Sequence, residues 1–97
     1  MKIILTTVAS DDASLDERIR CWIAEGAGCI QVDRVHSWYR WNGELQSDDE
    51  RRLVIKVADP KFEGLLQKIR DTHPYDEPQL IWFDAEATPG YEGFLRQ

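Results

Sequence analysis

Apolar positions along the chain change period several times, and each change marks an element. Ile3, Ile4 and Leu5 run into Thr6, Thr7 and Val8, a β-branched stretch apolar on both faces, which predicts a central strand. Ser10, Asp11 and Asp12 offer N-caps, and Ser14-x-x-Glu17 has capping-box spacing. Leu15, Ile19, Trp22 and Ile23 then recur at helical spacing, ended by Gly26 or Gly28. A second strand starts at Cys29, with Ile30 and Val32 on one face, whereas Val35, Tyr39 and Trp41 have the opposite parity. A strand cannot change faces without an interruption, so a bulge or kink is expected near Asp33-Arg34. Leu53, Ile55 and Val57 alternate in a third strand, and Asp59-Pro60 opens a second helix striped by Phe62, Leu65, Leu66 and Ile69. His73-Pro74 stops that helix, because the residue before proline is pushed out of the α region. Leu80 to Phe83 predict a short buried strand, and Pro89 to Leu95 a short terminal helix weakened by Gly93.

The second and third strands fold back at Asn42-Gly43, which supplies the positive φ of a type I′ turn at least steric cost. Each arm of that hairpin is about a dozen residues, hence on the order of 40 Å long at the usual rise per residue. A compact domain of this length has a radius of gyration of about 12–13 Å. The tip is therefore expected to overhang. A two-stranded ribbon carrying Trp38, Tyr39 and Trp41 is marginal in water and calls for a neighbouring subunit to cover it. The order βαββαβ plus a terminal helix predicts an α+β ferredoxin-like sandwich with a long β2-β3 hairpin. A fold of this kind carries no function by itself.

Composition narrows the partners. The 97 residues make one domain, 1–97, near the size where oligomerisation helps appreciably. A net charge of −6, with twelve basic residues scattered among eighteen acidic ones, argues against nucleic acid and against an anionic membrane surface. No apolar run approaches the length of a membrane span. Cys21 and Cys29 lie outside CxxC or zinc-finger spacing, and the chain opens directly on a strand-like run, so free thiols in a reducing compartment are expected.

No catalytic constellation stands out. There is no GxSxG elbow and no Walker-type or GxGxxG cradle. Acylphosphatases share the expected fold, but the first strand-helix connection here, Ala9-Ser10-Asp11-Asp12, is acidic and repels phosphate. The chain is expected to be no enzyme. The candidate site is the turn His73-Pro74-Tyr75-Asp76-Glu77-Pro78, in which an imidazole near carboxylates suits Cu(II) or another divalent cation. Its competitor is structural: His73 at the helix C-terminus, with two prolines stiffening the turn. His36 and Cys29 have weaker claims as ligands, and Asp48, Asp49 and Glu50 read as solvated strand polarity balanced by Arg51 and Arg52.

The string Ser37-Trp38-Tyr39-Arg40-Trp41-Asn42-Gly43-Glu44, with Glu50 and Leu53-Val54-Ile55-Lys56, resembles the hairpin of the CutA divalent-ion tolerance proteins. His73-Pro74-Tyr75 with Pro78 resembles their H-P-Y-x-x-P turn, and Tyr91 to Leu95 their terminal helix. The resemblance implies a cytoplasmic, non-enzymatic homotrimer in which the long hairpins pair between subunits, linked to tolerance of copper and other divalent cations. It implies inter-subunit clefts with Trp38, Tyr39, Trp41, Glu50, Lys56 and Tyr75 as lining residues, and His73 as a weak metal ligand needing no required cofactor. One branch of the family places a cysteine near the end of the first strand and two consecutive histidines before the turn; here Thr6 or Thr7 and Thr72 stand at those positions. The alternative is a signalling or scaffold module similar to the trimeric PII proteins, which bind small ligands in clefts between subunits.

Overall fold

The computed structural model describes residues 1–97 and contains β1 (Lys2–Ala9), α1 (Leu15–Ala24), β2 (Ala27–Trp41), β3 (Glu44–Val57), α2 (Asp59–Thr72), β4 (Ile81–Asp84) and α3 (Pro89–Leu95). The strands form one antiparallel sheet in the order β2-β3-β1-β4, with α1 and α2 against one face. This is the ferredoxin-like α+β sandwich with a long hairpin and a short terminal helix. The core lies between helices and sheet: Ile4, Val8, Leu53, Ile55 and Val57 from the strands meet Leu15, Trp22, Phe62, Leu65 and Ile69 from the helices. Ile23, placed by its spacing on the buried stripe of α1, is instead exposed, and Cys21 packs partly against the core.

The hairpin is long for a physical reason visible in the register. β1 pairs with β3 only from Lys2↔Val57 to Ala9↔Glu50, whereas β2 stays paired with β3 out to Trp41↔Glu44. Beyond Glu50 the ribbon therefore has two strands and no third neighbour. It ends in Asn42 (φ 51°) and Gly43 (φ 78°), the two positive-φ positions that a type I′ turn needs. The radius of gyration is 14.1 Å and the molecule measures 45 × 25 × 21 Å, longer than a sphere of this chain length.

Two sequence expectations are corrected. No bulge interrupts Asp33-Arg34: the β2-β3 register runs unbroken from Cys29↔Lys56 to Trp41↔Glu44, and the irregularity sits at Gly28, between Ala27 and Cys29. The parity change is real but has another cause. Ile30 and Val32 share the face covered by the helices, while Val35, Tyr39 and Trp41 share the helix-free face, so different faces of one regular strand are apolar at its two ends. Gly28 is required because a Cβ there would lie 2.7 Å from the Leu95 side chain and 2.9 Å from the Leu95 carbonyl oxygen. The bulge thus seats α3, whose Leu95 is fully buried.

The fourth strand is not buried. β4 pairs with β1 alone, and Ile81 and Phe83 stand opposite Leu5 and Ile3 on the helix-free face, 50% and 47% exposed. Trp82 turns the other way, 6.0 Å from the Phe62 ring of α2. Ile3, Leu5, Val54, Ile81 and Phe83 consequently form an apolar sheet face that this chain does not cover itself.

Candidate functional site

The turn after α2 begins with a residue whose hydrogen-bond state can be worked out. The Tyr75 backbone N–H donates to His73 Nδ1 at 3.0 Å, so Nδ1 carries the lone pair and the proton sits on Nε2. Nε2–H points to Thr6 Oγ1 at 2.9 Å, and the Thr6 hydroxyl passes its own proton to the Gln79 carbonyl at 2.7 Å. The chain ties the turn to the buried middle of β1. Burial holds His73 below its ordinary pKa, against raising contributions from the Thr7 backbone and the charges of Asp12 and Glu50. His73 is a neutral structural imidazole with both ring nitrogens engaged.

Its neighbour is equally committed. Trp22 Nε1–H donates to Thr72 Oγ1 at 2.9 Å, and that hydroxyl donates to the Lys68 carbonyl at 2.7 Å. Arg18 bonds the Thr72 carbonyl at 2.7 Å and Asp12 at 2.9 Å, which supplies the cation at the C-terminus of α2 that His73 does not. Thr6, Thr72 and His73, the positions where the family resemblance places metal ligands, therefore form an internal hydrogen-bond network. No three His, Cys, Asp or Glu side chains come together anywhere in the chain as a metal cluster. The residues present do not fit the three-ligand site of that branch.

What the turn does build is a cleft. Pro74, Tyr75, Asp76, Glu77 and Gln79 face the helix-free side of the ribbon across a cavity of about 980 Å³. The ribbon contributes Ser37, Trp38, Tyr39, Trp41, Gln46, Asp48 and Glu50, and β1 contributes Thr7. Tyr75 spans the gap, its hydroxyl donating to Glu50 at 2.9 Å. Burial, then the Glu50 bond and charge, push the Tyr75 phenol well above its ordinary pKa, so it stays a donor. The Tyr39 hydroxyl makes the matching bond to Asp48, and that bond is the main reason its pKa is raised.

Of the residues read from the sequence as cleft-lining, the structure brings Tyr39, Trp41, Glu50 and Tyr75 together, while Trp38 only borders the cleft, its ring on the other face of the ribbon 5.3 Å from the His36 ring. Lys56 lies elsewhere, at the body end of β3, with Nζ 3.2 Å from the Tyr91 hydroxyl and over the Tyr91 ring. His36 is also outside, on the opposite face of the ribbon, 2.7 Å from Asp49. Asp76 and Glu77, read as carboxylates beside His73, and Asp48, read as solvated strand polarity, line the cleft as well. For Asp48 the signal was available: a two-residue turn at Asn42-Gly43 fixes the register, which puts Asp48 opposite Ser37 and Glu50 opposite Val35 on the face of Tyr39 and Trp41.

Fold and cleft define a small ferredoxin-like module with an overhanging ribbon. The same architecture recurs in solved structures: CutA1 from Pyrococcus horikoshii superposes with a TM-score of 0.87 at 27% identity, covering 98% of this chain and 94% of that one. The PII-like protein CutA from Nostoc, in apo form, gives 0.85 at 30% identity, covering 97% and 92%. Among curated proteins, the divalent-cation tolerance protein CutA of Thermus thermophilus is 30% identical over 99% of this chain and 95% of its own length. The family model described as CutA1 divalent ion tolerance protein matches residues 2–97, and the chain belongs to that family.

Proposed function

We propose that this chain acts in divalent-cation tolerance as a non-enzymatic homotrimer of the cytoplasm, through assembly and cleft binding rather than by sequestering metal. The observation that carries the reading is the uncovered apolar face of Ile3, Leu5, Val54, Ile81 and Phe83, continuous with an overhanging ribbon. An apolar sheet face of this kind and two open strand edges are aggregation hazards unless another copy covers them. Closed cyclic assembly covers them without leaving a growing end. No helix is long and apolar enough to cross a membrane.

Copper(II) or another divalent ion taken at His73 would have to displace either the Tyr75 N–H or the Thr6 hydroxyl, so binding there is weak. Calorimetric titration of Cu(II) is expected to give low-affinity heat near one site per chain that His73→Ala removes. The assembly reading is tested by Ile81→Asp/Phe83→Asp, which places two charges on the exposed sheet face. The double variant should sediment as a monomer with an unchanged far-ultraviolet spectrum. Retention of the wild-type mass by a folded double variant would overturn the reading.

A further inference from the structure

The ribbon has a second face, on the side away from the cleft. The β2-β3 register places Arg34, Arg51 and Arg40 there, with the His36-Asp49 pair and Trp38 between them. On the body this side is covered by helices, but none reaches so far: Trp38 and Leu45 are 67% and 73% exposed. The order of charges changes between two successive rows. Asp33 stands opposite Arg52, and the two form a bidentate pair, with Arg52 Nε and NH2 at 3.1 and 2.7 Å from the carboxylate. In the next row Arg34 stands opposite Arg51, and like charges directly opposite destabilise a strand pair. The arginines that find a carboxylate are Arg18, Arg52 and Arg96; Arg34, Arg51 and Arg40 do not. Asp49, on the same face, is held by His36 at 2.7 Å. In a chain of net charge −6, this cationic face has no counter-charge of its own.

The matching carboxylates are elsewhere in the same chain. Asp76 and Glu77 are adjacent, exposed and in no ion pair. Pro74 and Pro78 flank them, and Tyr75 is fixed at both ends, by His73 Nδ1 and by Glu50, so the turn is rigid before it meets a partner. Other acidic neighbours are already engaged: Asp16 and Glu17 serve the first turn of α1, Asp12 holds Arg18, and Asp48 and Glu50 hold the two tyrosines. Within one chain the turn and the arginines cannot meet. The turn faces the cleft side of its own ribbon, and the arginines lie on the reverse.

We propose that the reverse face of the ribbon, through Arg34 and Arg51, docks on the Asp76-Glu77 turn of a second copy. The contact is head-to-tail, so each copy offers a ribbon and receives one, and such contacts close into a ring. It rests on the assembly reading and adds what orients the copies: the apolar sheet face supplies burial, and the unpaired charges set the register and exclude wrong docking.

Charge reversal in the intact protein tests the contact. Arg34→Glu/Arg51→Glu and Asp76→Lys/Glu77→Lys should each speed subunit exchange between two fluorescently labelled populations by about tenfold or more, with circular dichroism unchanged. The second variant separates this contact from general repulsion, because it makes an acidic chain less acidic and would otherwise slow exchange. A chain with all four substitutions has the pairing restored with exchanged signs, and its rate should return to within about threefold of wild type. Wild-type exchange rates in either folded double variant, or no recovery in the fourfold variant, would overturn the proposal. An assembly broken by Ile81→Asp/Phe83→Asp but indifferent to both reversals would leave the assembly reading standing and refute this contact; a monomeric wild-type protein would refute both.

Discussion

The two ends of the β2-β3 pair follow one register and have opposite fates. At the body end, Ile30↔Ile55 and Val32↔Leu53 face the helices, and Ile55 and Leu53 have no exposed surface. At the ribbon end, Trp38↔Ser47 and Arg40↔Leu45 continue the same face with nothing packed on it, while Tyr39 and Trp41 line the cleft on the other side. Backbone pairing is therefore not what separates structural from functional residues here. What differs is whether a helix covers the face. Side chains at the body end are expected to report on folding, and those at the ribbon end on binding and assembly.

The sharpest break of that contrast is Leu53→Ala. Leu53 is fully buried against both helices, so the transfer and cavity costs should together lower stability by about 2–5 kcal/mol in chemical denaturation. A loss comparable to that of an exposed site would mean the body is not the folding unit. Gly28→Ala comes next, because the added methyl group meets the Leu95 backbone as well as its flexible side chain. Displacing α3 from the bulge should cost about 1–3 kcal/mol, seen as a lower denaturation midpoint at unchanged slope.

The smallest effect is a pH dependence. His73 is held below its ordinary pKa in the fold, so above pH 6.5 it is neutral in both states and contributes its full stabilisation. As pH falls below that value the unfolded chain takes up a proton that the folded chain resists, and stability declines until the folded pKa is passed. The melting temperature should therefore drop from about pH 7 towards about pH 5, and His73→Gln should flatten that part of the profile. An unchanged profile would mean the Thr6-His73 bond does not govern protonation.

Much of this was legible in the residues. Asn42-Gly43 determined the turn, the stripe Phe62, Leu65, Leu66 and Ile69 determined α2, and the arm lengths announced the overhang. The bulge was misplaced because parity in β2 reports which face is apolar, and it was read as reporting which face is buried by helices. The fourth strand was misread for a related reason: an Ile-Trp-Phe run looks the same to periodicity whether its own chain or another surface covers it. The cleft carboxylates were partly hidden because Asp76 and Glu77 reach the ribbon only through the path of the turn, a tertiary fact that no local spacing encodes. His73 was visible as a candidate ligand, but its tautomer depends on Thr6, sixty-seven residues away in sequence.

The central claim is that the helix-free face and ribbon exist to be covered by further copies of the chain. Sedimentation equilibrium of the wild-type protein at micromolar concentration tests it most directly. The account predicts a single species with the mass of three chains; a stable monomer at that concentration would contradict it.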